Sequence, residues 1–457
     1  MAATSSRGIT TPFRNLLTPV AKLTNVTPGD KRVSLSFKVE KFNVSGARGI
    51  GLAIKDTLKK INKQLDQMRK EHPEAEIPPL GSITINLELD GKSKKTKDKC
   101  AQYLSRAFRL VPNLVGANFI CKNMYDSDVA KILASLKTLE TPPTHISLTR
   151  EGGLDDLGKA SIADLGSALA QVPLLSQLIL QSLNLNEEQI RQFEEMMQEN
   201  SSVQSLELNK LTTQDHLPID FTTILKVNST LNELKIILGE PETATSAIES
   251  LASTHSLEIL TILGTPISDL ASEALEIGLA ANTSLKLLQL TGCGSSGLAD
   301  HAIKGLKTNS SLETLQLDCS GITDAQVSVL VDSLCVNRSL RVLNFEMNLI
   351  DDEGAALIAE WLKTNPCLER LSLGLNEIHK KGAQALFSAL AENHSLRTLD
   401  LSGNPCTDDE STIESQALLK KALETTNHTL TAVDSEFCDE EIRTLLERNE
   451  KSAVSYG

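Results

Sequence analysis

A chain of 457 residues with 40% hydrophobic and 23% charged residues has an ordinary globular composition, which admits several compact domains or one extended repeat array. Its net charge of −14 is divided unevenly, +9 on residues 1–100 and −23 on the remainder, and the acidic body excludes nucleic acid as the expected partner of that part. No stretch approaches the roughly 18 consecutive apolar residues of a membrane span, the first twenty residues lack the apolar core of a secretory signal, and eight scattered cysteines form no C-x-x-C pair. A cytoplasmic protein with reduced, mostly buried thiols, no metal and no cofactor is therefore expected.

In chain order, residues 1–30 read as a flexible N-terminus and residues 31–110 as an N-terminal cap with degenerate first rows. Positions 33–39 and 83–87 carry strand-like patterns, and a long helical pattern covers 48–70 before Pro78 and Pro79 close it. Gly46-Ala47-Arg48-Gly49-Ile50-Gly51 has G-x-x-G-x-G spacing, which is not the dinucleotide fingerprint, and no Lys-Ser/Thr pair follows. It fits the repeat's own helix-start glycines better. Lys92, Lys94, Lys95, Lys97 and Lys99 follow, dense enough for a weak contact with an anionic lipid surface but also readable as a solvated loop before a helix at 101–108.

Residues 111–430 read as a repeat array. Strand-like segments at 114–119 and 145–148 precede helical patterns at 126–139 and 159–170. From there L-x-x-L-x-L returns with its first residue at Leu175, Val203, Leu231, Leu257, Leu285, Leu312, Leu340, Leu368 and Leu396, in steps of 26–28 residues. In one such row Leu343 and Phe345 alternate with Asn344, which makes a strand buried on one side. Further on, Ala355, Ile358, Ala359 and Leu362 recur at helical spacing and mark a helix that returns the chain. Asn348, Asn376 and Asn404 take the slot after three strands, where a side-chain amide can bond the backbone of the turn. Cys293 and Ser320 stand there in other rows, and Leu211 and Gly239 depart from the pattern. Residues 431–457 read as a C-terminal cap and tail, with a last irregular row at 430–433 and a short helix at 439–448.

Parallel strands joined by right-handed helical crossovers stack side by side. The expected fold is an α/β leucine-rich-repeat solenoid: a curved horseshoe with parallel strands on the concave face and helices on the convex face, elongated and monomeric. The rows beginning at Leu340, Leu368 and Leu396 resemble the ribonuclease-inhibitor-like class of leucine-rich repeats, also found in the Ran GTPase-activating protein and in immune receptors. The rows are also similar to those of leucine-rich-repeat effectors that intracellular bacteria deliver into host cells. The acidic segment 435–450 is similar to the glutamate-rich translocation signals of those effectors. These resemblances imply a protein partner. They further imply either an effector secreted into a host cytosol or, as the alternative, a regulator of a small GTPase.

Histidines and cysteines form no triad or metal spacing, so no catalytic residue is named. Asn200, Asn228, Asn282, Asn309, Asn337, Asn393 and Asn427 begin N-x-Ser/Thr triplets, but all stand just after a helix, where Asn tolerates the left-handed conformation of a helix end. The partner is expected on the concave strand side chains: Glu207, Lys235, Ile237, Ile259, Leu263, Leu287, Gln289, Gln316, Asp318, Asn344, Glu346, Arg370 and Asp400. Within them Ile237, Ile259, Leu263 and Leu287 put apolar side chains where other rows are polar, joined by Leu238 just beyond its strand.

Overall fold

The structure, a computed structural model, describes residues 20–23, 33–36, 82–88, 116–122, 144–151 and 175–455, apart from 295–296, 408 and 434–436. It divides into two compact units, residues 1–184 with 191–196 and residues 185–190 with 197–457. In the first unit Val20–Leu23 and Val33–Ser36 pair antiparallel. Ser82–Glu88, Gly116–Lys122, His145–Glu151 and Gln177–Gln181 pair in parallel, with Ile83, Ala117, Ile146 and Leu178 in one register. The second of these strands starts two residues later than its sequence pattern suggests. The helical patterns expected at 48–70, 101–108, 126–139 and 159–170 lie outside the described residues.

The second unit is built from one layer repeated. Apart from the short strand Thr212–Thr213, which belongs to a separate two-stranded sheet, its strands from Ser205–Asn209 to Ala432–Val433 are parallel and in register, so that Leu206, Leu234, Leu260, Leu288, Leu315, Leu343, Leu371 and Leu399 form one row of neighbours. All eight are buried, as are the residues two further on, such as Ile236, Phe345 and Leu373. The first leucine of every row is also inside, from Val203 to Leu430. Period-two alternation thus turns one face of each strand onto the helices, and burial of these aliphatic side chains is the main stabilising term.

Several helices begin on a side-chain cap. Asp351 caps Asp352–Thr364 by accepting from the Glu353 amide, Ser268 caps Asp269–Ala281, and Thr323 with Gln326 forms a capping box on Asp324–Leu334. Ala355, Ile358, Ala359 and Leu362 face inward as their spacing predicts. Two aspartates also tie one row to the next: Asp324 Oδ1 accepts from the Asp351 and Gly354 amides, and Asp352 Oδ1 from those of His379 and Gly382. Glycine is required at 382 because a Cβ there would stand 2.7 Å from that oxygen.

The asparagines after the helices do something other than expected. Asn228, Asn282 and Asn365 have φ of −73°, −75° and −82° with ψ near 120–137°, an extended and not a left-handed backbone. Their side chains instead form a buried ladder. Asn393 Nδ2 donates to Leu362 O (2.7 Å) and Asn365 O (3.2 Å) of the preceding row, while its Oδ1 accepts from the amides of Ser395 and Leu396. Asn228, Asn282, Asn309, Asn337 and Asn427 repeat that pattern. Asn449 carries it into the last helix by donating to Asn427 O and Leu430 O. The N-x-Ser/Thr triplets are therefore the covalent trace of a structural ladder whose amides are already committed.

Candidate functional site

The slot after each strand works as its residues suggest. Asn376 Nδ2 donates to Phe345 O, Leu373 O and Gly374 O, and its Oδ1 accepts from the Ile350 amide; Asn348 and Asn404 do the same in their rows. Ser320 and Cys293 donate weakly to the equivalent carbonyls, and Thr265, unmarked by the sequence reading, accepts from the Gly239 amide. Burial pushes the Cys293 thiol up to about 12, with Asp318 adding to the shift and a backbone hydrogen bond at Thr265 opposing it. That thiol is a packing group and not a nucleophile. Cys367 and Cys406 are also buried and Cys438 is half-buried, whereas Cys319 and Cys335 are exposed.

The other strand face is the candidate site, because its side chains stand on a rigid ladder about 4.8 Å apart and are not consumed by the core. Glu207, Lys235, Ile237, Ile259, Leu263, Leu287, Gln289, Gln316, Asp318, Asn344, Glu346 and Asp400 are half-buried there and Arg370 is exposed. Ile237 pairs across the ladder with Leu263, and Ile259 with Leu287. The four apolar side chains therefore stand at the corners of one patch. At its centre Thr261 is only 4% exposed.

Several of the charges are already engaged. Lys235 Nζ lies 2.7 Å from Glu233 Oε1. Burial would raise the Glu233 carboxyl, but hydrogen bonds from Lys235 and Ser205 and the Lys235 charge together hold it below its ordinary value. Asp400 accepts from the Ser402 amide, the Ser402 hydroxyl and, at 3.1 Å, the Ser372 hydroxyl. It is a structural acceptor as much as a surface charge, so reversing its charge is expected to disturb the turn at 400–402 as well as the surface. Asn344 Oδ1 likewise accepts from the Glu346 amide.

A second surface was not legible in the sequence. The residue that leaves each strand has a left-handed backbone: Lys210, Leu238, Cys319, Met347 and Leu375 at φ 48–56°, and Gly264, Gly292 and Gly403 at 59–68°. Glycine takes that conformation freely, whereas an L side chain costs roughly 1–2 kcal/mol there. The geometry is imposed by the ladder. The amides of Cys319, Met347 and Leu375 still donate to Glu346 O, Gly374 O and Ser402 O of the next row, after which the chain must turn sharply to bury the slot residue. Leu238, Met347 and Leu375 remain 47–53% exposed, as does Leu349 at 55%.

Among the described residues no group of three or more His, Cys, Asp or Glu could hold a metal ion, and no helix is long and apolar enough to cross a membrane. The lysines at 92–99 lie outside the described residues. Most of the acidic C-terminal segment lies in the helix Glu440–Ser455, where Ile442 and Leu446 are buried.

A family model described as leucine-rich repeat matches residues 336–359, 364–387 and 392–409. No curated protein matches. Among solved structures the chain is similar to actin-binding site 2 of leiomodin-1, at 24% identity over 36% of this chain and 94% of that one, TM-score 0.31. It is also similar to the tropomodulin C-terminal domain of Caenorhabditis elegans, at 17% identity over 35% and 96%, TM-score 0.32. A further likeness, at 19% identity over 72% and 40% with TM-score 0.41, is to TLR13 in a complex with ssRNA13. The matched segments coincide with three of the rows described above, each a strand, a buried asparagine turn and a returning helix. The chain carries leucine-rich repeats and is an α/β leucine-rich-repeat solenoid.

Proposed function

We propose that the protein is a non-enzymatic scaffold that holds a partner protein on the outward strand face of its second unit. The observation that carries this reading is the patch of Ile237, Ile259, Leu263 and Leu287, paired across adjacent strands and half-exposed, within a face otherwise lined by Gln289, Gln316, Asn344 and acidic side chains. A desolvated apolar centre within a polar surround is the usual anatomy of a protein interface. Leucine-rich-repeat arrays generally serve as protein-binding modules, which supports the same conclusion. A translocated effector and a regulator of a small GTPase are both special cases of such a scaffold, and a GTP hydrolysis assay separates the second from the first.

The test uses a partner captured by the full chain and measured with variants. Ile259→Ser with Leu263→Ser is expected to weaken binding by about tenfold or more, and Glu207→Lys or Glu346→Lys by less, mainly through a slower on-rate. Glu360→Lys and Lys381→Glu, on exposed helix positions, serve as controls. A partner lost with the helix changes and retained with the strand changes would place the site elsewhere.

A further inference from the structure

The ends of the C-terminal strands form a surface distinct from the strand face. Cys319, Met347, Leu375 and Gly403 occupy the same left-handed position in four successive rows, and the backbone hydrogen bonds that link each to the next row set them side by side. Cys319 Sγ lies 3.5 Å from Met347 Sδ, the Leu375 side chain lies over Gly403, and the exposed Leu349 follows Met347 two residues on. In three other rows glycine fills this position, yet here three bulky side chains are held in a conformation that opposes them and are left exposed. The ladder imposes the conformation and Lys210 and Leu238 share it elsewhere, but exposed apolar side chains kept where glycine would serve mark a surface strip that a partner can cover.

Charge says what would cover it. Over the eight residues from each strand end, 318–325, 346–353, 374–381 and 402–409, the chain holds nine acidic residues against two basic ones, Lys380 and Lys381. The opposite, strand-start ends of the same rows carry Arg338, Arg341, Arg370 and Arg397 beside Glu313 and Glu369. The negative field reaches the strip itself: burial, then the carboxylates of Asp318 and Glu346, push the Cys319 thiol above its ordinary value. Spacing adds a third constraint. Rows repeat about every 4.8 Å, close to the 5.4 Å pitch of an α-helix, whereas side chains on one face of an extended peptide recur about every 6.7 Å.

We propose that the strand-end strip of Cys319, Met347, Leu349 and Leu375 is a docking surface for an amphipathic helix of a partner protein, one with an apolar stripe flanked by Lys and Arg. One helical turn lies over each row, and the soft sulfur side chains accommodate varied apolar partners. This surface stands whether or not the strand face binds a second protein.

The probe is a synthetic helical peptide of about 18 residues, roughly five turns, with a Leu stripe and Lys flanks, titrated against the full chain by fluorescence anisotropy. Its counterparts are the same peptide with Glu for Lys and the double variant Met347→Gly/Leu375→Gly. The Lys peptide is expected to bind, to weaken as salt rises, and to lose about tenfold or more in affinity against the glycine variant. The Glu peptide is expected not to bind. The melting temperature of the variant is expected to hold, since glycine already fills this position at 264, 292 and 403. Absence of binding by the Lys peptide, equal binding of both peptides, or unchanged affinity of the variant would overturn the proposal. A clearly lower melting temperature would do so as well, because it would give those side chains a structural reason to be there.

Discussion

Asn393→Ala is expected to destabilise the array by about 3–5 kcal/mol, although it removes no apolar side chain. The residue is 1% exposed, and its loss strands the amides of Ser395 and Leu396 together with the carbonyls of Leu362 and Asn365 between two rows. Buried backbone groups left unpaired cost about 1–3 kcal/mol each before relaxation. Urea unfolding followed by far-UV circular dichroism measures the loss, and hydrogen exchange is expected to rise most in the rows on either side of the turn. A loss below about 1 kcal/mol would mean that water substitutes for the amide and that the ladder adds little. Asn393→Asp keeps the acceptor but turns a buried carboxylate oxygen onto the Leu362 and Asn365 carbonyls, so at neutral pH it is expected to cost at least as much as the alanine.

Leu371→Ala is expected to cost about 2–5 kcal/mol through the cavity it leaves between strand and helix. The side chain is 1% exposed and stands in register between Leu343 and Leu399, so neighbouring rows held by their own hydrogen bonds cannot collapse around the gap. Asn344→Ala, one row away and on the opposite face, is the comparison. It loses the hydrogen bond from the Glu346 amide and is expected to cost about 1 kcal/mol, more than a free surface group but far less than a core leucine. The same denaturation experiment reads both. Equal losses at the two positions would contradict the assignment of strand faces.

These two contrasts show what could be read from the amino acids. The leucine rows announce themselves because burial selects one residue type at one interval, and nothing but Leu-like side chains fills the space around Leu343 and Leu371. Asn348, Asn376 and Asn404 were also legible, since their partners lie within the turn as well as in the adjacent row. Asn393 and its equivalents were misread. Their position after a helix suits a left-handed cap, and their real acceptors lie 28 and 31 residues back, where only stacking reveals them. The Lys235–Glu233 pair and the Asp400–Ser372 bond were hidden for a related reason: each depends on rotamers or on the adjacent row. The left-handed strand ends were invisible because Met347, Leu375 and Cys319 are not turn-forming residues, and sequence patterns mark such positions only when Gly or Asn occupies them.

The claim that the strand face holds the partner is tested most directly by contact. A photo-crosslinking amino acid placed at Gln289 or Gln316, and in parallel at the exposed helix positions Glu360 or Lys381, reports which surface touches a bound protein. If the strand face holds the partner, one partner species crosslinks from positions 289 and 316, its yield falls with Ile259→Ser/Leu263→Ser, and positions 360 and 381 give none of it. The same species crosslinking from 360 or 381 and not from 289 or 316 would contradict the account.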